Sequence, residues 1–166
     1  MTKASRPLRL HPARSPSSDH AVVEAMLSYW SAQDVEQTIS LLAGDIVYQL
    51  YVCQSVHPFG GERVGREAVR DMLFDLLADF DYLSYRPVIL DVRDGVARVQ
   101  THYHMRHRAT GEHLTGSKRF VCTLQGGLVT RIHEYHDAPL VEAFMKLTDW
   151  RIAQAKLAAK AHSNGD

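Results

Sequence analysis

Two short segments of this chain gather the side chains that do acid–base or metal chemistry. THYHMRH, residues 101–107, holds three of the ten histidines, and RIHEYHD, residues 131–137, alternates two more with Glu134 and Asp137. Neutral imidazoles close together bind metals. An imidazole beside a carboxylate moves protons. Either group turned to water does neither. The face each side chain occupies decides among these, so the elements carrying them come first.

Alternate residues of a strand share a face. In strand 96–108, Ala97, Val99, Thr101, Tyr103, Met105 and His107 form a mostly apolar set that should face a core. Val96, Arg98, Gln100, His102, His104, Arg106 and Arg108 form the other. His102 and His104 then lie on a cation-rich outer face, a poor place for a metal cation, and no metal site is expected. His107 points inward. In the preceding segment of the final hairpin, Phe120, Cys122 and Leu124 form the apolar set against Arg119, Val121 and Thr123. In the last strand Ile132, Glu134 and His136 oppose Arg131, His133, Tyr135 and Asp137, and neither set is apolar.

The positioning elements follow from periodicity. Val22, Val23, Met26, Leu27 and Trp30 make one helical stripe over residues 19–33, with Ser18 as N-cap. Asp34 opens a shorter helix, with Gln37 at capping-box spacing and Gly44 to close it. Residues 45–53 read as a strand. A loop with Pro58, Gly60 and Gly61 follows, then a helix over 65–80 with Val69, Met72, Leu73, Leu76, Leu77 and Phe80 inward. Four strands (83–92, 96–108, 114–125 and 128–137) joined by tight turns form an antiparallel meander. Asp137 should cap a final helix that has Pro139 in its first turn. The order ααβαββββα predicts an α+β fold, with helices on one face of a curved antiparallel sheet.

The bulk numbers fit a single domain. The chain has 166 residues, 45% hydrophobic and 23% charged, and a formal net charge of zero. Nothing in this balance points to nucleic acid or an anionic membrane, and no apolar run reaches the roughly 18 residues of a spanning helix. Cys53 and Cys122 form no metal-type motif, and so few cysteines suit a reducing, cytoplasmic setting. Residues 1–18, basic and proline- and serine-rich with no acid, read as a disordered basic tail. Residues 19–150 read as the domain, and 151–166 as a C-terminal helical extension with a frayed end.

With DVEQTISLLAGDIVYQL, GREAVRDML, ATGEHL and GGLVTRIHEYHDAPL at their spacings, residues 20–147 resemble the SnoaL-like branch of the nuclear-transport-factor-2-like superfamily, alongside ketosteroid isomerases, limonene epoxide hydrolase and polyketide cyclases. The resemblance implies a cone: a strongly bent antiparallel sheet (an α+β barrel) wrapped around three helices of the N-terminal half, with a deep apolar pocket. Where ketosteroid isomerases carry their tyrosine, aspartate base and acidic donor, this chain has Met26, Leu50 and Phe120. Where limonene epoxide hydrolase holds its water and flanks the epoxide, it has Tyr48, Leu50, Thr101, Tyr103 and Glu134. The tyrosine and one carboxylate remain, and neither set is complete.

The resemblance also turns Ile132, Glu134 and His136 inward. The implied ligand-binding lining comprises Trp30, Leu50, Phe74, Leu77, Thr101, Tyr103, Met105, Phe120 and Cys122, with Phe144 as a further candidate. Glu134, His136, His107 and Tyr48 are the candidate catalytic groups. A carboxylate in an apolar cone should have a raised pKa and act as general acid or base. The alternative role for Glu134 is to pair an inward cation such as Lys118. Two functions stay open. One is a cofactor-independent enzyme doing proton-transfer chemistry (isomerase, cyclase, dehydratase or hydrolase type) on an apolar small molecule. The other is a non-catalytic ligand-binding or dimerisation module. A homodimer through the outer sheet face, which mixes Val121, His133 and Tyr135 with Arg98, Arg106 and Arg119, is expected for either.

Overall fold

A computed structural model describes residues 16–55 and 57–163. Expectations for residues 1–15, most of the basic tail, and for the last three residues lie outside this range. The elements are α1 (Pro16–Ser31), α2 (Val35–Ser40), β1 (Leu42–Leu50), β2 (Gly61–Val64), α3 (Arg66–Asp79), β3 (Phe80–Arg93), β4 (Val96–His107), β5 (His113–Gln125), β6 (Leu128–His136) and α4 (Ala138–Ser163).

Local chemistry explains most of these limits. Asp34 caps α2, its carboxylate accepting from the Gln37 amide at 3.0 Å. Asp137 caps α4 by accepting from the Leu140 amide at 3.2 Å. Two expected stops differ. Ser18 is not an N-cap, because α1 already begins at Pro16, whose missing N–H suits a first helical position. Gly44 does not close α2. Leu41 does so in a helical conformation, and Gly44 lies within β1. Strand β2 was expected to be loop. Its four residues, Gly-Glu-Arg-Val, are half-buried or exposed, so they carry no apolar pattern.

The strands form one open sheet in the order β2-β1-β6-β5-β4-β3. The β3–β6 meander is antiparallel as expected. The β1–β6 pairing is parallel: almost the whole domain separates the two strands, so no tight turn sets their relative direction. Helix α1 packs on α2 and β3, and α3 packs on β1, β2 and β3. Strand alternation along β4 is regular, with Ala97, Val99, Thr101, Tyr103, Met105 and His107 buried and Arg98, His102 and Arg106 exposed. Each fully buried Val, Leu, Ile or Phe contributes about 1.5–3 kcal/mol of transfer free energy. The core between sheet and helices, with Val23, Ile46, Val69, Val99 and Val129 near zero exposure, is therefore what holds the sheet around α1–α3. Val141, Phe144 and Met145 of α4 are buried as well.

Candidate active site

The helix stripes and the inner sheet face do not meet completely. Between them lies a cavity of about 70 Å³, several times the roughly 10–15 Å³ one water needs. Its wall is mostly apolar, with Met26, Leu27 and Trp30 from α1, Met72 and Leu73 from α3, and Phe120 from β5. Tyr48, Lys118, Glu134 and His136 also line it, as does His57 from the β1–β2 loop.

Sheet register assembles the polar group. Leu50 of β1 and Phe120 of β5 both pair with Glu134 of β6, and Lys118 pairs with His136. These inward positions therefore crowd round one carboxylate. Glu134, 4% exposed, accepts from Lys118 Nζ at 2.8 Å and from His136 Nε2 at 2.6 Å on Oε1, while the Tyr48 hydroxyl donates to Oε2. The Tyr103 hydroxyl lies 3.3 Å from His136 Nδ1. Burial, reinforced by Asp137, pushes the Tyr103 phenol up to about 12, so it keeps its proton and donates. His136 thus has an acceptor nitrogen toward Tyr103 and an N–H toward Glu134. The result is a continuous chain of proton donors and acceptors.

Two further features hold this group. The Tyr103 ring lies over Gly116 of β5, where a Cβ would sit 2.7 Å from the phenol oxygen. Any larger residue would push the hydroxyl away from His136. Lys118 is 5% exposed, and the rings of Tyr85, Tyr103 and Phe120 surround its ammonium, with centroids at 5.5, 5.8 and 5.0 Å. Burial lowers its pKa to about 7.

His57 faces the same cavity and was missed in the sequence. Its amide bonds to Cys53 O, and Gly60 N returns to His57 O, each at 2.9 Å. A side chain at Gly60 would meet Val52 O at 2.4 Å, so glycine is required for this tight loop. The Phe59 amide donates to His57 Nδ1 at 3.2 Å, which leaves the ring proton on Nε2. Burial lowers the His57 pKa to about 4, helped by His136 and Lys118, so the ring is neutral at pH 7. Between pH 6.5 and 4 the unfolded chain binds the His57 proton and the folded chain does not, so stability falls as pH drops through that window. The displacement corresponds to a loss of about 3 kcal/mol by pH 4. His57→Gln should flatten this limb of the urea-denaturation profile. An unchanged limb would show that His57 titrates normally.

The candidate residues separate into those that reach the cavity and those that do not. Tyr48, Glu134, His136, Trp30, Leu50 and Phe120 line it, and Tyr103 reaches it through His136. His107 is buried at the far end of β4, where it bonds Thr110 and packs on Phe80 and Phe144, outside the lining. Phe74 is 42% exposed beneath the Arg70 guanidinium, because position 74 falls off the 69/72/73/76 stripe. Thr101, Met105 and Cys122 are buried and do not line the cavity. Burial pushes the Cys122 thiol up to about 12, which suits packing rather than nucleophilic chemistry. Tyr82 and Tyr85 line the cavity. Sequence periodicity hid them, since a register shift between Tyr82 and Ser84 turns both inward although they are three residues apart. On the outer face His104 Nε2 meets His113 Nδ1 at 2.7 Å.

A family model described as a SnoaL-like domain matches residues 23–132. No curated protein matches the chain. Among solved structures, an NTF2-like protein from Burkholderia xenovorans LB400 is 19% identical with a TM-score of 0.66, covering 75% of this chain and 93% of that one. TerC, crystallised with polyporic acid, is 14% identical with a TM-score of 0.66, covering 78% and 98%. A protein provisionally named a polyketide cyclase from Xanthomonas campestris pv. campestris is 15% identical with a TM-score of 0.62, covering 77% and 99%. At such identities these are likenesses of fold. The family model, in contrast, spans well over half of the chain, which therefore belongs to the SnoaL-like domain family.

Proposed function

We propose that this protein is an enzyme that holds a small, largely apolar molecule in the cone and moves a proton on it with its own side chains, as an isomerase or cyclase does. One observation carries the reading: a buried carboxylate, Glu134, is bonded to an imidazole, an amine and a phenol inside an otherwise apolar cavity. Taking these charges out of water is costly, and a folding core alone has no use for the space they enclose. Glu134 acts as the acid or base and His136 exchanges protons with it. Neutral His57, with its proton on Nε2, is a donor suited to a ligand oxygen where negative charge develops. The ligand is accordingly a ring-sized molecule bearing a carbonyl or phenolic oxygen. Support also comes from fold relatives: TerC was crystallised with polyporic acid, and the Xanthomonas protein carries a cyclase name. The test is a thermal-shift screen of ring compounds, followed by product analysis of each hit. Turnover lowered by about 10²-fold or more in Glu134→Gln supports the reading, and binding without any product contradicts it.

A binding-only role is favoured by one feature. Both oxygens of Glu134 already have partners, and the Lys118 ion pair is the structural alternative that the sequence itself suggests. The catalytic reading requires that ligand entry displace one of these donors.

The outer sheet face is assigned to a second copy of the chain. Tyr135, 40% exposed, stacks on Tyr51 at 4.6 Å between centroids, and Tyr51 bonds His133. Aromatic groups set among arginines suit an interface, and a two-fold dimer is the usual assembly. Light scattering at micromolar concentration should give twice the 18.7 kDa chain mass, with Tyr135→Glu shifting it toward the monomer. A monomeric mass for the unaltered chain would contradict this assignment. Among the described residues no helix is long and apolar enough to cross a membrane, and a cytoplasmic setting is proposed from the sparse cysteine content.

A further inference from the structure

We propose that Lys118 is a nucleophile that forms an imine with a ring aldehyde or ketone held in the cavity. This goes beyond proton transfer on the ligand and rests on the same two premises, that the cavity is a ligand site and that Glu134 can pass protons there. The argument starts from placement. Lys118 lines the cavity and is almost fully removed from water, and its Nζ has Glu134 Oε1 at 2.8 Å and the rings of Tyr85, Tyr103 and Phe120 nearby. The carboxylate does not need the amine as a partner, because the same oxygen accepts from His136 at 2.6 Å and the other from Tyr48. What the lysine adds is an amine in apolar surroundings beside a proton-accepting group, the arrangement that activates lysine toward carbonyls. Burial loosens its proton, with a pKa near 7, so the free amine is present at neutral pH.

The step balances with the groups in place. The nitrogen lone pair attacks the carbonyl carbon, and the C=O π pair moves to oxygen. Glu134 takes one of the two nitrogen protons and returns it to that oxygen, giving the carbinolamine. The second nitrogen proton follows the same path as the C–O bond breaks, and oxygen leaves as water. Amine plus carbonyl become imine plus water, with no oxidant or reductant. An imine also acidifies the adjacent C–H, which is the proton Glu134 is proposed to move.

The test uses the full chain with benzaldehyde, acetophenone and cyclohexanone, each trapped with sodium cyanoborohydride at pH 7 and followed by intact mass and peptide mapping. The expected result is one adduct per chain, on Lys118, formed at least roughly tenfold faster than on the exposed Lys146 or Lys156, since an ordinary lysine is almost wholly protonated at this pH. Labelling should rise through pH 7 rather than near pH 10. Lys118→Arg should abolish it, and mapping of the unaltered chain decides the matter even where that variant does not fold. Adducts spread over surface lysines, or none on Lys118 with any probe, would overturn the proposal. Trp30 fluorescence separates the two readings: quenching without an adduct removes the imine and leaves the ligand site, whereas neither signal removes both.

Discussion

Glu134→Gln lowers kcat on a cavity ligand by about 10²–10⁴-fold, the usual worth of a positioned general acid or base, with KM little changed. The amide keeps the shape of the carboxylate, and its one oxygen can still accept from Lys118 while its NH2 donates to the Tyr48 hydroxyl, so ligand packing against Trp30 and Phe120 is preserved while proton transfer is lost. Steady-state kinetics on any turned-over hit checks this. A change confined to KM would mean that Glu134 only binds. His136→Gln should fall less far, because its ring contacts the carboxylate rather than replacing it.

Lys118→Met costs the fold less than the about 3–5 kcal/mol usual for breaking a buried ion pair, because His136 and Tyr48 still hold the carboxylate and burial already disfavours the ammonium. Glu134 is left 4% exposed without its ammonium. The Lys118→Met/Glu134→Gln double variant should lose less than the sum of the single variants, with a coupling of about 0.5–3 kcal/mol. The sign of the pH dependence gives a second check. Lys118 has a folded pKa near 7 against an ordinary 10.5. Between these values the unfolded chain binds the proton and the folded chain does not. Stability from this residue therefore rises as pH rises from about 7 to 10.5, and the slope vanishes below 7. Urea denaturation at pH 7 and pH 9 should show that increment in the unaltered chain and not in Lys118→Met. Parallel changes in both would mean that Lys118 titrates normally in the fold.

The inner face of β4 was readable in the sequence because its apolar set has a strict period of two, and the structure buries each member of it. Alternation fixes the face and not the position along a strand, so it assigned His107 inward without showing that the ring packs on Phe80 and Phe144 outside the cavity lining. On β6 neither set is apolar, and the inward turn of Glu134 rested on family resemblance. Helical period placed Trp30 correctly, and the same period, applied strictly, excludes Phe74. His57 gave no signal at all. It sits in a loop, where the close contacts of Gly60 and a backbone bond from Phe59 aim the ring. The bulge that turns Tyr82 and Tyr85 inward is likewise a feature of pairing, invisible before β3 and β4 are aligned.

Deuterium uptake separates catalysis from binding most directly. A ring ketone that quenches Trp30 would be held in D2O with the protein, and NMR would follow the hydrogens on the carbon next to the carbonyl. Proton transfer through Glu134 predicts exchange far faster than in buffer alone, reduced about 10²–10⁴-fold by Glu134→Gln. A ligand that binds in the cone yet exchanges no faster than in buffer would contradict the catalytic account and leave a binding module.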